Sequence, residues 1–330
     1  MLKKILKVVF CCAFSLLIQN LKAGNSLSLY VITPPRKISW KSPSSLTWTA
    51  FKSAVKSDFH SIGHAMIHLQ CDATPVAPAV NEQTGATSLE NPDDKDLLFK
   101  NGIGMGLLFY DFPGELNSYK YVSRQLEIAS EMQNRLSTFK ALINESTCQR
   151  LATYLKEYEE KKLDTHYGLS LKPRSVEGAG CTAFAASFFE LAGLLSPEIK
   201  KSWSLSLNVQ EKLIGDPISD QHVPLNDILF GEEGTAWAKG NEASRPLIVY
   251  DTQFFDQWIR KIWNMGSKKF PTGYSIDRTN YKQWHKKIWI EIQAPGTPNG
   301  WEEAYVSNGV VSLQFDARSI PTPQDNIWVQ

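Results

Sequence analysis

Apolar and polar positions alternate from Leu27 to Thr33 (LSLYVIT), a stretch rich in branched and aromatic side chains that predicts a β-strand ended by Pro34-Pro35. Ser42-Pro43-Ser44-Ser45 reads as a turn capping a short helix through Ala54. Ile62 to Leu69 (IGHAMIHL) predicts a second strand, and Gly104 to Phe112 (GMGLLFYDF) a third, whose glycines permit close backbone approach. Between them, residues 72–96 are rich in Pro, Asn, Thr, Asp and Gly and lack periodicity, which predicts an exposed loop or insertion. Strand character is expected again near Tyr119 to Leu126 and Thr138 to Ile143.

Helical spacing then takes over. Leu151, Tyr154, Leu155 and Tyr158 share one face of a helix capped by Ser146 or Thr147, with a charged, solvated tail from Glu157 to Lys162. After Tyr167-Gly168-Leu169 and the loop KPRSVEGAG, a second helix is expected from Cys181 to Leu194, with Phe184, Phe188, Leu191 and Leu195 on one face and Pro197 as its stop. Eight of the ten tryptophans follow Lys201. Trp258, Trp263, Trp284 and Trp289 recur in WIRKIW and WHKKIW, beside basic residues suited to stacking on sugars or lipid, although packing is the commoner use of such rings. Three stretches are therefore expected: 1–23, a domain over 24–200, and a tryptophan-rich extension over 201–330 that packs separately or as part of the same domain.

The amino terminus obeys different physics. Met1-Leu2-Lys3-Lys4 is basic, Val8 to Ile18 is apolar, and Leu21-Lys22-Ala23 ends in a small residue, the pattern of a signal peptide cut after Ala23. The apolar run falls short of the roughly 20 residues of a membrane span, and no later stretch is long and apolar enough for one. A periplasmic or secreted location is the expectation. Removal of Lys3, Lys4, Lys7 and Lys22 takes the formal charge from +1 to −3, with basic residues scattered among acids, which argues against a nucleic-acid partner.

Cysteine arithmetic adds a constraint. Cys71, Cys148 and Cys181 remain after cleavage, an odd number in an oxidising compartment, so at least one is free or paired outside the chain. A Cys71–Cys148 disulfide would leave Cys181 as the lone thiol. That thiol is also the strongest chemical signal: Gly178-Ala179-Gly180 delivers it to the first turn of an apolar helix, where unpaired amides and the helix dipole favour a thiolate and can hold an oxyanion. The alternative is a small buried hydrophobe heading a core helix.

A nucleophilic cysteine needs a base. His64, directly after Gly63 at the start of an apolar strand, is the choice over His60, His68, His166, His222 and His285, with His166 the second catalytic candidate. His60, His64 and His68 are spaced by four, but on a strand neighbours would lie about 13 Å apart, too far to share one ion. No metal site and no cofactor is expected.

The order of these parts, a strand bearing Gly-His, further strands, a helix, a Tyr-Gly-Leu strand and a Gly-Cys helix start, resembles the circularly permuted papain-like hydrolases over residues 26–196. That NlpC-like group includes lecithin:retinol acyltransferase relatives. The resemblance implies an α+β fold with a small antiparallel sheet packed on the cysteine helix, Cys181 as nucleophile and His64 as base. A third polar residue orients the histidine in that group, and Asp111, Glu115, Gln125 and Glu127 are the candidates here. The insertion and the long extension depart from minimal members. The expected function is an exported thiol hydrolase or acyltransferase acting on an amide or ester. A cell-wall peptide is the first substrate and a lipid ester the second. The rival is a non-catalytic binding module of the same fold for an envelope component or partner protein.

Overall fold

A computed structural model describes residues 24–57, 59–89, 102–265 and 308–329. The expected signal segment, part of the 72–96 insertion, His285, Trp284, Trp289 and Trp301 lie outside the described residues.

The chain is α+β. Its main sheet has five strands in the order β10-β6-β1-β2-β3: β1 (Ser26–Ile32), β2 (His64–Cys71), β3 (Val80–Thr84), β6 (Leu136–Leu142) and β10 (Val311–Asp316). Four of these strands pair antiparallel, and β10 joins β6 in parallel. Every residue of β1 is buried, because helices cover both faces. On one face Leu27, Leu29, Val31, Ala65, Ile67 and Leu69 pack with α3 (Glu145–Glu160), α4 (Cys181–Leu191) and α7 (Thr252–Met265). On the other, Tyr30, Ile32 and Met66 meet Val122, Leu126 and Ala129 of α2 (Tyr119–Glu131). Period-2 alternation thus sends successive strand residues into two separate cores.

Several local expectations change. The segment near Tyr119 to Leu126 forms the start of α2: Ser118 caps it by accepting from the Tyr121 amide, and Val122, Leu126 and Ala129 recur at helical spacing. The strand expected over Gly104 to Phe112 is instead a 3-10 turn at Met105–Phe109, with β5 (Phe112–Leu116) beginning only at its end. Part of the expected loop over 72–96 is ordered as β3 and β4 (Ala86–Ser88), which find partners in β2 and β5. Asn144 caps α3 through the Thr147 amide, two residues before Ser146 and three before Thr147. The expected capping turn does start α1 (Pro43–Lys56): Ser42 and Ser45 bond each other's amides in a capping box.

The Tyr-Gly-Leu segment contributes only β7 (His166–Tyr167), and it pairs with β5 in a small sheet ordered β4-β5-β7. After α5 (Pro197–Trp203), strands β8 (Ser204–Gln210) and β9 (Ser244–Tyr250) form a two-stranded sheet flanked by α6 (Leu225–Phe230). Trp203 and Trp258 are buried with Phe189, Phe139 and Phe255 in the larger core. Among the described residues, no helix is long and apolar enough to cross a membrane.

Candidate functional site

Cys71 and Cys148 are joined in a disulfide, and Cys181 is the free thiol. Cys181 opens α4 directly after Gly180, which offers no side-chain cap, so the first-turn amides must find other partners. The glycine loop supplies the approach: Gly178 sits at φ +91°, where a Cβ would meet the Leu163 carbonyl oxygen at 3.0 Å. The amides of Ala65 and Thr182 and the Tyr167 hydroxyl lie near the sulfur and favour its charged form. The Cys181 amide itself faces the Tyr167 oxygen.

Burial dominates the electrostatics of this thiol. Cys181 is only 8% exposed. Loss of water raises its pKa above that of an ordinary thiol, the three donors pull it back, and the carboxylate of Asp251 pushes it up again. The expectation that the helix start yields a thiolate is thereby corrected: desolvation outweighs the amides and the dipole, and the resting group is a neutral thiol. Asp251 is itself buried and accepts from the Trp40 indole and the Gln253 amide. Replacing Asp251 by Asn removes the charge at nearly constant shape, although only one of the two acceptor oxygens is kept and the new NH2 group faces either the Trp40 indole or the Gln253 amide. The variant is expected to alkylate faster with iodoacetamide at every pH below the thiol pKa, with its rate–pH midpoint moved down; an unmoved midpoint would refute the coupling.

His64 begins β2 opposite Ile32. Gly63, at φ +85°, makes the entry possible: a Cβ there would collide with the Thr252 hydroxyl and meet the Ile32 carbonyl oxygen at 2.9 Å. The imidazole shares the α2 side of the sheet with Met66. Its Nε2 is 3.1 Å from the Asn117 side-chain amide, and its ring stacks on His60 at 4.7 Å and 3°. Because an amide flip exchanges nitrogen and oxygen in place, Asn117 can hold either tautomer. Among the described residues, Nδ1 has no hydrogen-bond partner and no hydrogen bond joins the ring to Cys181. The strand nevertheless runs past the thiol. Helix α4 packs on β2 and the Ala65 amide is close enough to favour the charged form of the sulfur, whereas the His64 side chain alternates to the opposite face of the sheet.

His60 corrects the spacing argument. It lies in the turn before β2, at φ +46°, so its ring folds back onto His64 instead of standing one strand interval away. Gln125 fixes it at 2.9 Å from Nε2. His68 faces Asn81 and the Tyr30 hydroxyl. Among the described residues, no group of three or more His, Cys, Asp or Glu side chains is placed to hold a metal ion.

Burial lowers the pKa of both stacked rings, His60 to about 4 and His64 well below the usual imidazole range, and each stays neutral at neutral pH. A folded-state pKa below the unfolded one means that the unfolded chain binds more protons as acid is added. Stability is therefore expected to fall from about pH 6.5 toward pH 4. Urea midpoints measured across that window test it, and the slope should be shallower in His60→Gln; a pH-independent midpoint would contradict the buried neutral rings.

The proposed orienting residues are elsewhere. Asp111 pairs with the exposed His166 at 2.7 Å, Glu127 with Arg124 at 2.7 Å, Gln125 with His60, and Glu115 lies on β5 opposite Thr87. Asn117, Tyr167 and Asp251 are the site residues that sequence reasoning did not single out. Comparisons with protein-family models, with curated proteins and with solved structures return no match.

Proposed function

We propose that the chain is a thiol hydrolase or acyltransferase of the permuted papain-like kind, with Cys181 as nucleophile and His64 as base. The observation that carries this reading is that the only free thiol among the described residues heads a helix that packs on β2, the strand that begins at His64. Asn117 at Nε2 supports it. With its oxygen turned to accept from Nε2–H, the ring presents Nδ1 as an acceptor, and proton transfer from the sulfur then requires the imidazole to swing out of its stack on His60 and off the α2 side of the sheet.

The thiol is neutral at rest, so proton transfer accompanies attack. His64 takes the S–H proton as sulfur bonds to the carbonyl carbon of an amide or ester. A carbonyl oxygen that displaces the Tyr167 oxygen from the Cys181 amide meets that N–H and the Tyr167 O–H as donors. The imidazolium returns its proton to the leaving amine or alcohol. Water, or an acceptor alcohol or amine, then releases the acyl group from sulfur. An exported setting accords with the disulfide, and a cell-wall peptide remains the first substrate with a lipid ester second.

The experiment is hydrolysis of stem-peptide amides and of acyl-glycerol esters followed by mass spectrometry, with Cys181→Ala as the control. Cleavage by the wild type that the variant lacks is expected. One observation favours the second reading, a non-catalytic envelope-binding module: the thiol is raised by burial and the His64 ring bonds away from it. In that case no substrate in either class is turned over and both proteins bind it equally.

A further inference from the structure

From the geometry of α1 we infer that its outer face docks on an anionic lipid bilayer, independently of any chemistry at Cys181. Trp48, Phe51 and Val55 are spaced three and four apart, so they form one stripe, and they are 46%, 52% and 72% exposed. The stripe lies across the helix from its buried residues Leu46 and Ser53. An amphipathic helix that needed only to cover its own protein would carry polar side chains there.

Charge says what covers it. Arg36, Lys37, Lys41, Lys52 and Lys56 are all exposed, and residues 24–57 contain no Asp or Glu. None of the five enters an ion pair among the described residues. Lys52 extends over the Trp48 ring at 4.8 Å, and Trp48 stacks beside Phe51 at 6.1 Å. The short turn Glu232–Thr235 also contacts α1; there Glu233 is engaged by Lys212 at 3.4 Å and Glu232 is exposed. Aromatic rings flanked by unpaired cations match the headgroup boundary of an anionic leaflet, where the rings enter the interface and the ammonium groups meet phosphates. The face is also held rigidly: the Ile38 amide donates to Gln253 at 2.9 Å, and Ser39 donates to Thr49 at 2.9 Å.

Co-sedimentation of the full chain with vesicles of phosphatidylglycerol and phosphatidylcholine, against phosphatidylcholine alone, tests this at low and high salt. Binding is expected to be at least about tenfold stronger to the anionic vesicles and to weaken with salt. Lys41→Glu with Lys52→Glu and Lys56→Glu should reduce it by more than tenfold, since each neutralised cation alone is worth about fivefold. Vesicles with brominated acyl chains should quench tryptophan emission in the wild type and much less in Trp48→Tyr, which separates this face from any binding through residues 1–23. Unchanged near-ultraviolet circular dichroism certifies the fold of each variant. Equal binding to both vesicle types, equal binding by the triple variant, or equal quenching in Trp48→Tyr would overturn the inference, and an acidic protein partner would then be the better occupant.

Discussion

Replacement of Cys71 and Cys148 by alanine is expected to destabilise the folded chain by about 4.5 kcal/mol, the chain-entropy value for a cross-link closing a loop of this length. The two residues are 77 apart in sequence with Cα atoms 5.7 Å apart. The bond ties the last residue of β2 to the first turn of α3, and both cysteines are buried within the core that also holds Ala65 and Phe184. Cutting it frees the end of the strand whose other end carries His64. Denaturant unfolding of wild type and double variant gives the difference directly. A loss below about 1 kcal/mol would show that the unfolded chain is already restrained or that packing alone fixes this corner.

The second large effect concerns chemistry. His64→Ala is expected to slow acylation of Cys181 by an activated ester by a factor of about 10²–10⁴ at neutral pH, the usual contribution of a positioned general base. Burial makes the dependence steep: with the thiol raised above its ordinary range, almost no thiolate exists at pH 7 without a base to take the proton. Asn117→Ala should give a smaller loss, because it frees the ring without removing it. Stopped-flow release of nitrophenolate from p-nitrophenyl acetate measures both. An unchanged rate in His64→Ala would leave Cys181 without its proposed base.

Much of the frame is legible along the chain because it depends on near neighbours. The alternation in LSLYVIT becomes β1, the Ser42 turn caps α1, and Gly180-Cys181 becomes a helix start, each a consequence of residues within a few positions. The failures follow the same logic. Tyr119-Lys-Tyr-Val-Ser alternates as a strand does, and only Leu126 and Ala129, a turn and two turns beyond Val122, reveal the helical period that α2 buries. β3 and β4 are short and polar, so their pairing with β2 and β5 leaves little periodic trace.

The site divides in the same way. Cys181 is marked by its glycine loop and His64 by Gly63, local features that respectively demand φ values near +91° and +85° nearby. Asn117, Tyr167 and Asp251 come from three separate elements; Tyr167 is marked in the sequence only as part of its Tyr-Gly-Leu segment, and its closeness to the thiol is a product of the fold. Asn117 sits immediately before the Ser118 cap of α2, so recognising that helix in the sequence would have drawn attention to it. The state of the thiol was illegible for a different reason: the helix start is local, but the desolvation that outweighs it is produced by the whole fold packed around residue 181.

The central claim is that Cys181 accepts an acyl group with the help of His64. Peptide mapping after brief exposure of the folded wild type to p-nitrophenyl acetate at pH 7 tests it most directly. One acetyl group per chain on the Cys181 peptide, absent from the His64→Ala map at the same time point, is the expected result. A Cys181 peptide that stays unmodified until the protein is unfolded would contradict it.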